Sequence, residues 1–365
     1  IKKVDYPNGT QYFRAASCTG ALYEFELYIV CANLQGLDAG VYHFGPGDFS
    51  LRRLREGDFR SVLIRATGND LAVARAPATI ICTGTYWRNA WKYQSRAYRH
   101  FGWDNGTILA NMLALAAALR LPAQVTCGFV DRQINQLLNL DTEREVAFSM
   151  IPLGSVSNLP SPLPRPMEHI SELLLETVPL SESEVDYPAI SLMHEASSLM
   201  TVDEVVAWRG GLPVTDRPPA PENAVSLDPL ANDELSEERI ESVVLRRGST
   251  RQFAQVSLTL EQLSTTLDRA TRGVRADFLD PVGSQLNDVY LIVNAVNGIE
   301  PGAYVYHRDV KKLECLKQGD FRAEAAHLGL DQRLPGDASV AVFLLADMRS
   351  ILERFGNRGY RAVQL

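Results

Sequence analysis

The sequence predicts an α+β protein built from two tandem domains, and three observations carry that reading. First, one pattern is written twice. Gly-Leu-Asp-Ala-Gly-Val-Tyr-His-Phe starts at Gly36 and Gly-Ile-Glu-Pro-Gly-Ala-Tyr-Val-Tyr at Gly298, an offset of 298 − 36 = 262. Second, the offset recurs without a gap. Glu26–Val30 faces Asp288–Ile292, Gly57–Arg60 faces Gly319–Arg322, and Arg96–Arg99 faces Arg358–Arg361. Solenoid repeats run about 20–50 residues, so this far longer period marks a duplicated domain. Third, 11 of the 19 prolines lie between Pro160 and Pro229, starting with Pro160-Ser-Pro-Leu-Pro-Arg-Pro166. Proline this dense cannot continue helices or central strands, so the stretch is a connector. The expected division is 1–157, first domain; 158–240, connector; 241–365, second domain.

The elements are expected in this chain order. Leu27–Cys31 and Ala78–Cys82 are short, apolar and partly β-branched, which predicts buried strands. Tyr86–His100 reads as an amphipathic helix. Ile108–Leu121 is apolar nearly all round and ends at Pro122, which predicts a core helix. Asp131 is placed to cap a helix over Arg132–Asn139, and Val146–Leu153 reads as a strand. The connector should hold helical pieces at Glu168–Thr177, Ala189–Leu199 and Val202–Trp208, the last capped by Thr201. A further helix is expected at Glu261.

Composition excludes several classes. With 36 basic and 44 acidic side chains the net charge is −8, which argues against nucleic acid as a partner. Five cysteines (Cys18, Cys31, Cys82, Cys127, Cys315) form no C-x-x-C, which argues against a disulfide scaffold or zinc ribbon and for a reducing, cytoplasmic setting. No signal-peptide h-region is visible at the start, and no apolar run reaches the roughly 20 residues a membrane span needs. Six scattered histidines without an H-x-x-x-H pair predict no metal site. There is no G-x-G-x-x-G, P-loop or G-x-S-x-G elbow. The chain begins without Met and ends at Leu365, so a fragment of a longer protein is expected. The second copy has no counterpart of Ile108–Leu121, which should leave apolar surface uncovered.

Four stretches could carry chemistry. In Arg246-Arg-Gly-Ser-Thr-Arg-Gln-Phe253, Arg247 and Arg251 flank Ser249 at i and i+4. Two guanidinium forks and a hydroxyl could converge on one phosphate; the alternative is a solvated basic turn. Between Tyr86 and Trp103 stand seven aromatics. On a helix, Arg88, Lys92, Arg96 and Arg99 share one face and Trp87, Trp91 and Tyr98 another. That is either a plain amphipathic helix or an aromatic wall with a Lys92–Tyr93 acid/base pair. In Val125-Thr126-Cys127-Gly128-Phe129, Gly128 would let the backbone approach a flat ligand, while Cys127 lacks a neighbouring base and defaults to a structural thiol. Last, the loop Arg14-Ala-Ala-Ser17-Cys-Thr-Gly20 precedes a strand, a common place for ligand contact.

Taken together these residues resemble the nitroreductase-type flavin fold, specifically the SagB-type dehydrogenases that oxidise azolines in peptides. The resemblance covers about 1–157 and 241–365. It is carried by Ser17-x-x-Gly-Ala-Leu-Tyr23-x-x-Glu-Leu-Tyr28, Gly36-Leu-x-x-Gly-x-Tyr42, Lys92-Tyr93-x-x-Arg-x-Tyr98-Arg99, Asn111-x-x-Leu-x-x-Ala-Ala-x-x-Leu119, Gly128-Phe129 and Ile151-Pro-Leu-Gly154. It implies mixed sheets flanked by helices, an intrachain pseudo-dimer and FMN as cofactor. Arg247, Ser249 and Arg251 match the family's phosphate grip. Ser17, Gly20, Thr126, Cys127 and Gly128 match segments along the flavin ring. The first loop departs from the family at Ala16 and Glu24. Lys92 and Tyr93 match the pair that marks azoline oxidation. The offset puts Arg354 and Phe355 in their places in copy two, so the copies should be unequal. The implied partners are an azoline-containing peptide and a cyclodehydratase; further oligomers stay open. The alternatives are an NAD(P)H-dependent reductase of nitroaromatics or quinones, and a non-catalytic scaffold.

Overall fold

The computed structural model describes residues 2–156, 170–175, 177–211 and 218–365. The chain opens with a hairpin of β1 (Lys2–Tyr6) and β2 (Gly9–Phe13). Then come β3 (Phe25–Cys31), β4 (Gly40–Gly45), β5 (Ser50–Glu56), α1 (Arg60–Ala66), α2 (Leu71–Arg75) and β6 (Ala78–Thr85). The first half closes with α3 (Tyr86–Tyr93), α4 (Ala97–Ala118), α5 (Asp131–Leu138) and β7 (Glu145–Leu153). The connector carries α6 (Pro188–Ala196), α7 (Val202–Trp208) and β8 (Val225–Ser226). The second half runs α8 (Ile240–Arg246), α9 (Leu260–Ala270), β9 (Asp288–Val293), β10 (Gly302–His307), β11 (Lys312–Gln318), α10 (Arg322–Leu328), α11 (Arg333–Asp337), β12 (Val340–Leu345), α12 (Met348–Phe355) and α13 (Gly359–Gln364).

The written repeat is also a folded one. β4, β5, α1, α2 and α3 map onto β10, β11, α10, α11 and α12 residue for residue at the offset of 262. Fine detail repeats too. Both central hairpins carry a bulge at the same place, between Val41 and Tyr42 and between Ala303 and Tyr304. Tyr42 donates its hydroxyl to Asp38 O at 2.9 Å, and Tyr304 to Glu300 O at 2.7 Å.

Two five-stranded sheets result, ordered β5-β4-β3-β6-β7 and β12-β9-β10-β11-β8. The α+β class holds. Every ladder between the described strands is antiparallel, and parallel pairing enters only as isolated bridges such as Val125 with Ala276. One core joins the halves: Phe25, Phe101 and Phe148 of the first pack with Ile351, Phe355 and Val363 of the second. Fully burying side chains of this size contributes about 1.5–3 kcal/mol each, so neither half keeps this core alone. A smaller core sits under the second sheet, where Leu263 and Leu267 of α9 meet Leu291, Val293 and Tyr304. No described helix is long and apolar enough to cross a membrane.

Several expectations need correction. The helix expected over Tyr86–His100 breaks at Gln94, whose φ of 51° ends α3, and α4 then runs unbroken from Ala97. The stretch 108–121 is not buried all round: Leu119 and Leu121 are exposed, and only one side of α4 faces the core. Asp131 caps nothing; it is the first residue of α5 and its carboxylate is taken by Arg358 and Arg361. The helix expected at Glu168–Thr177 is absent from residues 170–175, which lack regular structure. Glu168, His169 and Glu176 of that stretch, and Pro160–Pro166, lie outside the described residues. Thr201 does cap α7, accepting from Glu204 N at 3.2 Å.

Candidate functional site

A cavity of about 720 Å³ opens between the halves. The hairpin β1–β2, the loop after it and the end of α3 form one wall. The end of α8 and the loop beyond it form the other. It gathers Ser17, Gly20 and Lys92 from the first half and Arg247, Ser249 and Arg251 from the second. Six expected site residues, spread over 235 positions (251 − 17 + 1), thus share one space.

Gly20 is the pivot of the first wall. Its φ of 64° is left-handed, which glycine adopts without a Cβ penalty. A Cβ there would stand 2.9 Å from the Tyr93 hydroxyl and 3.3 Å from Lys92 Nζ. The two polar groups therefore converge over one bare α-carbon. Tyr93 is held edge-on to His100 at 4.5 Å between ring centroids, and Lys92 Nζ lies 5.2 Å from the Tyr93 centroid.

Asp104 fixes the Gly20 loop. It accepts from Thr19 N at 2.9 Å and from Thr19 Oγ1 at 2.9 Å. Cys18 Sγ donates to Glu24 Oε2 at 3.2 Å and to Asp104 Oδ2 at 3.3 Å, and accepts from Tyr23 N at 3.0 Å. This thiol and the two carboxylates lie within 4.8 Å of one another, a cluster that sequence reasoning missed. Burial pushes the Cys18 thiol up, and Glu24 and Asp104 push it further, so it stands as a protonated donor. Burial, with Asp104 beside it, pushes the Glu24 carboxyl up to about 8. Asp104 is the single acid in α4, and that was the available signal.

The opposite wall is basic. Arg247 is exposed and anchored by a bond from its Nη2 to Ala15 O at 3.1 Å. Ser249 and Arg251 are exposed on the loop beyond it. Among the described residues Arg251 has no carboxylate within ion-pairing distance. Two guanidiniums and a hydroxyl suit a phosphate dianion, and a bare glycine opposite admits a flat group, so this space fits a ligand such as FMN at both ends.

Thr126, Cys127 and Gly128 are not brought there. All three are buried. Cys127 N and Gly128 N donate to the two oxygens of Asp277, at 2.9 and 2.7 Å. Their donors are spent inside the protein, so the expected ring contact does not form in this cavity. Burial pushes Asp277 up to about 6 against those two bonds. The aromatic wall does not form either. Trp91 is exposed, Trp87 Nε1 donates to Ser181 Oγ at 2.9 Å, and Tyr98 is buried beside Arg361. Asp277 and the pairs of Asp131 with Arg358 and Arg361 gave no local sequence signal because the partners lie 149 to 230 positions away.

Residues 13–155 match the family model described as Nitroreductase family. A Methanocaldococcus jannaschii protein named as a putative nitroreductase is 25% identical over 142 residues, 39% of this chain and 70% of that one. The trifolitoxin-processing protein TfxB of Rhizobium leguminosarum bv. trifolii is 29% identical over 156 residues. That stretch is 40% of this chain, which spans 40% of TfxB. The crystal structure of a putative nitroreductase from Anabaena variabilis superposes with a TM-score of 0.76 on 100% of this chain and 74% of its own, at 23% identity. That likeness shows the fold.

Proposed function

We propose that this chain, which carries a nitroreductase-family domain at residues 13–155, is an FMN-dependent oxidoreductase that oxidises azoline rings in a peptide to azoles. One observation carries the reading: Lys92 Nζ and Tyr93 Oη converge over Gly20, and Gly20 and Lys92 line the same cavity as Arg247, Ser249 and Arg251. Arg247 and Arg251 would hold the phosphate by charge-assisted bonds, with Ser249 as a neutral donor. FMN, when bound, supplies the hydride acceptor. Aromatisation also releases a ring C–H proton, and Lys92 or Tyr93 must take it at Nζ or Oη. The relative named for trifolitoxin processing supports a peptide substrate. A cyclodehydratase that makes the azoline is the expected partner.

The second reading is NAD(P)H-dependent reduction of small electrophiles, favoured by the naming of the M. jannaschii relative. The test is an assay of purified chain with FMN, once with an azoline peptide and once with NAD(P)H and a nitroarene. Loss of two hydrogens from the peptide by mass spectrometry supports the first reading. Rapid NAD(P)H consumption with an inert peptide replaces it by the second.

A further inference from the structure

The repeat supplies a comparison inside one chain. The offset carries Lys92 and Tyr93 to Arg354 and Phe355. Backbone geometry is kept: Tyr93 and Phe355 both have φ −112° and ψ 3°. The surroundings are not. Where the first half is open, the second is filled by the connector. Trp208, at the end of α7, is 6% exposed and donates Nε1 to Phe355 O at 3.0 Å. Its ring centroid lies 5.6 Å from that of Phe355 and 5.8 Å from that of Phe278. Arg354, in the place of Lys92, donates to Gly210 O on the same connector.

The indole also lies against Gly128. A Cβ there would meet two ring carbons at 3.2 and 3.3 Å, and Asp277 Oδ2 at 2.8 Å. The glycine expected to admit a flat ligand does receive a flat ring, and the ring belongs to the protein. The neighbouring N–H pair receives an acceptor, and that too is the protein's own, Asp277. A heteroaromatic ligand with an acceptor edge would need those same two contacts.

We infer that Trp208 and Asp277 act as an internal ligand that plugs the second of two repeat-related ring sites, leaving the chain one flavin site, the cavity of Gly20 and Lys92. The count of one flavin rests on the function proposed above; the plug does not. The plug also explains why Thr126, Cys127 and Gly128 stand apart from the phosphate clamp: they line the filled place.

The test is equilibrium dialysis of the full chain against FMN and, separately, lumichrome, the ring without the phosphate. The expected result is one FMN per chain, lost in the Arg247→Ala/Arg251→Ala double variant. Trp208→Gly/Asp277→Ala, which removes the ring and the acceptor together, should bind one lumichrome more than wild type, and Trp208→Phe alone should not. Trp208→Leu/Asp277→Ala, which keeps apolar packing but frees the flat slot, serves if the glycine double variant does not fold. Two FMN per wild-type chain would overturn the inference. So would either double variant, folded, that takes up no extra lumichrome. Wild type without FMN, beside a variant that gains lumichrome, would keep the plug and remove the flavin reading.

Discussion

Tyr98 and Tyr360 hold the same position in the two repeats, and they stack on one another with ring centroids 6.3 Å apart and planes 11° from parallel. The two copies of one repeat position touch each other here, so this pair marks where the halves meet. Around it α4 and α13 cross closely enough that a Cβ on Gly102 would come 2.2 Å from Gln364 Cβ. α4 also carries Asp104, which holds the Gly20 loop, and α13 carries Arg361, which pairs with Asp131. The contact therefore ties the cavity wall of the first half to the buried ion pairs that join Asp131 to the second half.

Lys92→Ala and Tyr93→Phe should each keep bound FMN and lose azoline oxidation by about 10²–10⁴, the usual worth of a positioned acid or base. Flavin absorbance and peptide mass read the two effects separately. Full activity in either variant removes that residue from the proton step.

Replacing Arg247 or Arg251 by Ala should weaken FMN binding by about 10–100-fold each, since a bond to a charged group is worth about 1.5–3 kcal/mol. Riboflavin, which lacks the phosphate, should bind wild type and variants alike. Equal losses for both ligands would show that the arginines do not face the phosphate.

Glu24 gives a pH signature. Its folded pKa, about 8, is raised above the ordinary 4.5. The protonated form is the one the fold favours, so its contribution is complete below about 4.5 and is lost as pH rises through about 8. Glu24 Oε1 is also buried without a partner. Glu24→Gln keeps the shape and cannot ionise, so it should flatten the fall in thermal stability between pH 5 and 9. The expected gain at pH 9 is about 1–3 kcal/mol. An unchanged pH profile would exclude Glu24 as its source.

Asp131 should be costly to lose. It pairs at 2.6 Å with Arg358 and at 2.7 Å with Arg361, all three side chains being buried. Burial raises its pKa, but the two guanidiniums win and hold it at about 2, below the ordinary 3.8. That contribution is present above 3.8 and lost as pH falls through about 2. Asp131→Asn strands two buried cations and should cost about 3–5 kcal/mol in denaturant unfolding. A change within about 0.5 kcal/mol would show that the pair is not needed.

The architecture was legible because it rests on local signals repeated at one spacing. Tyr42 and Tyr304, with the glycines before them, announce the same hairpin twice. Lys92, Gly20 and Arg247 could be nominated one by one from residue chemistry, and their meeting in one cavity needed the folded chain. Asp131 looked like a cap because an acid before an apolar helix usually is one, and nothing local announces arginines 227 and 230 positions later. Gly128 was expected to admit a ligand's flat ring, and a ring of the protein lies against it instead. That the ring would be Trp208 depends on how the connector threads between the halves, which local pattern does not encode.

In a dimer of identical chains every substitution is made twice, so a change that ruins one pocket ruins both. Covalent duplication lifts that constraint. Arg354 and Phe355 could replace Lys92 and Tyr93 without touching the first copy, and a segment between the copies could settle where a small molecule would otherwise sit. One half is then free to specialise as scaffold while the other keeps the chemistry, a division of labour closed to a symmetric pair.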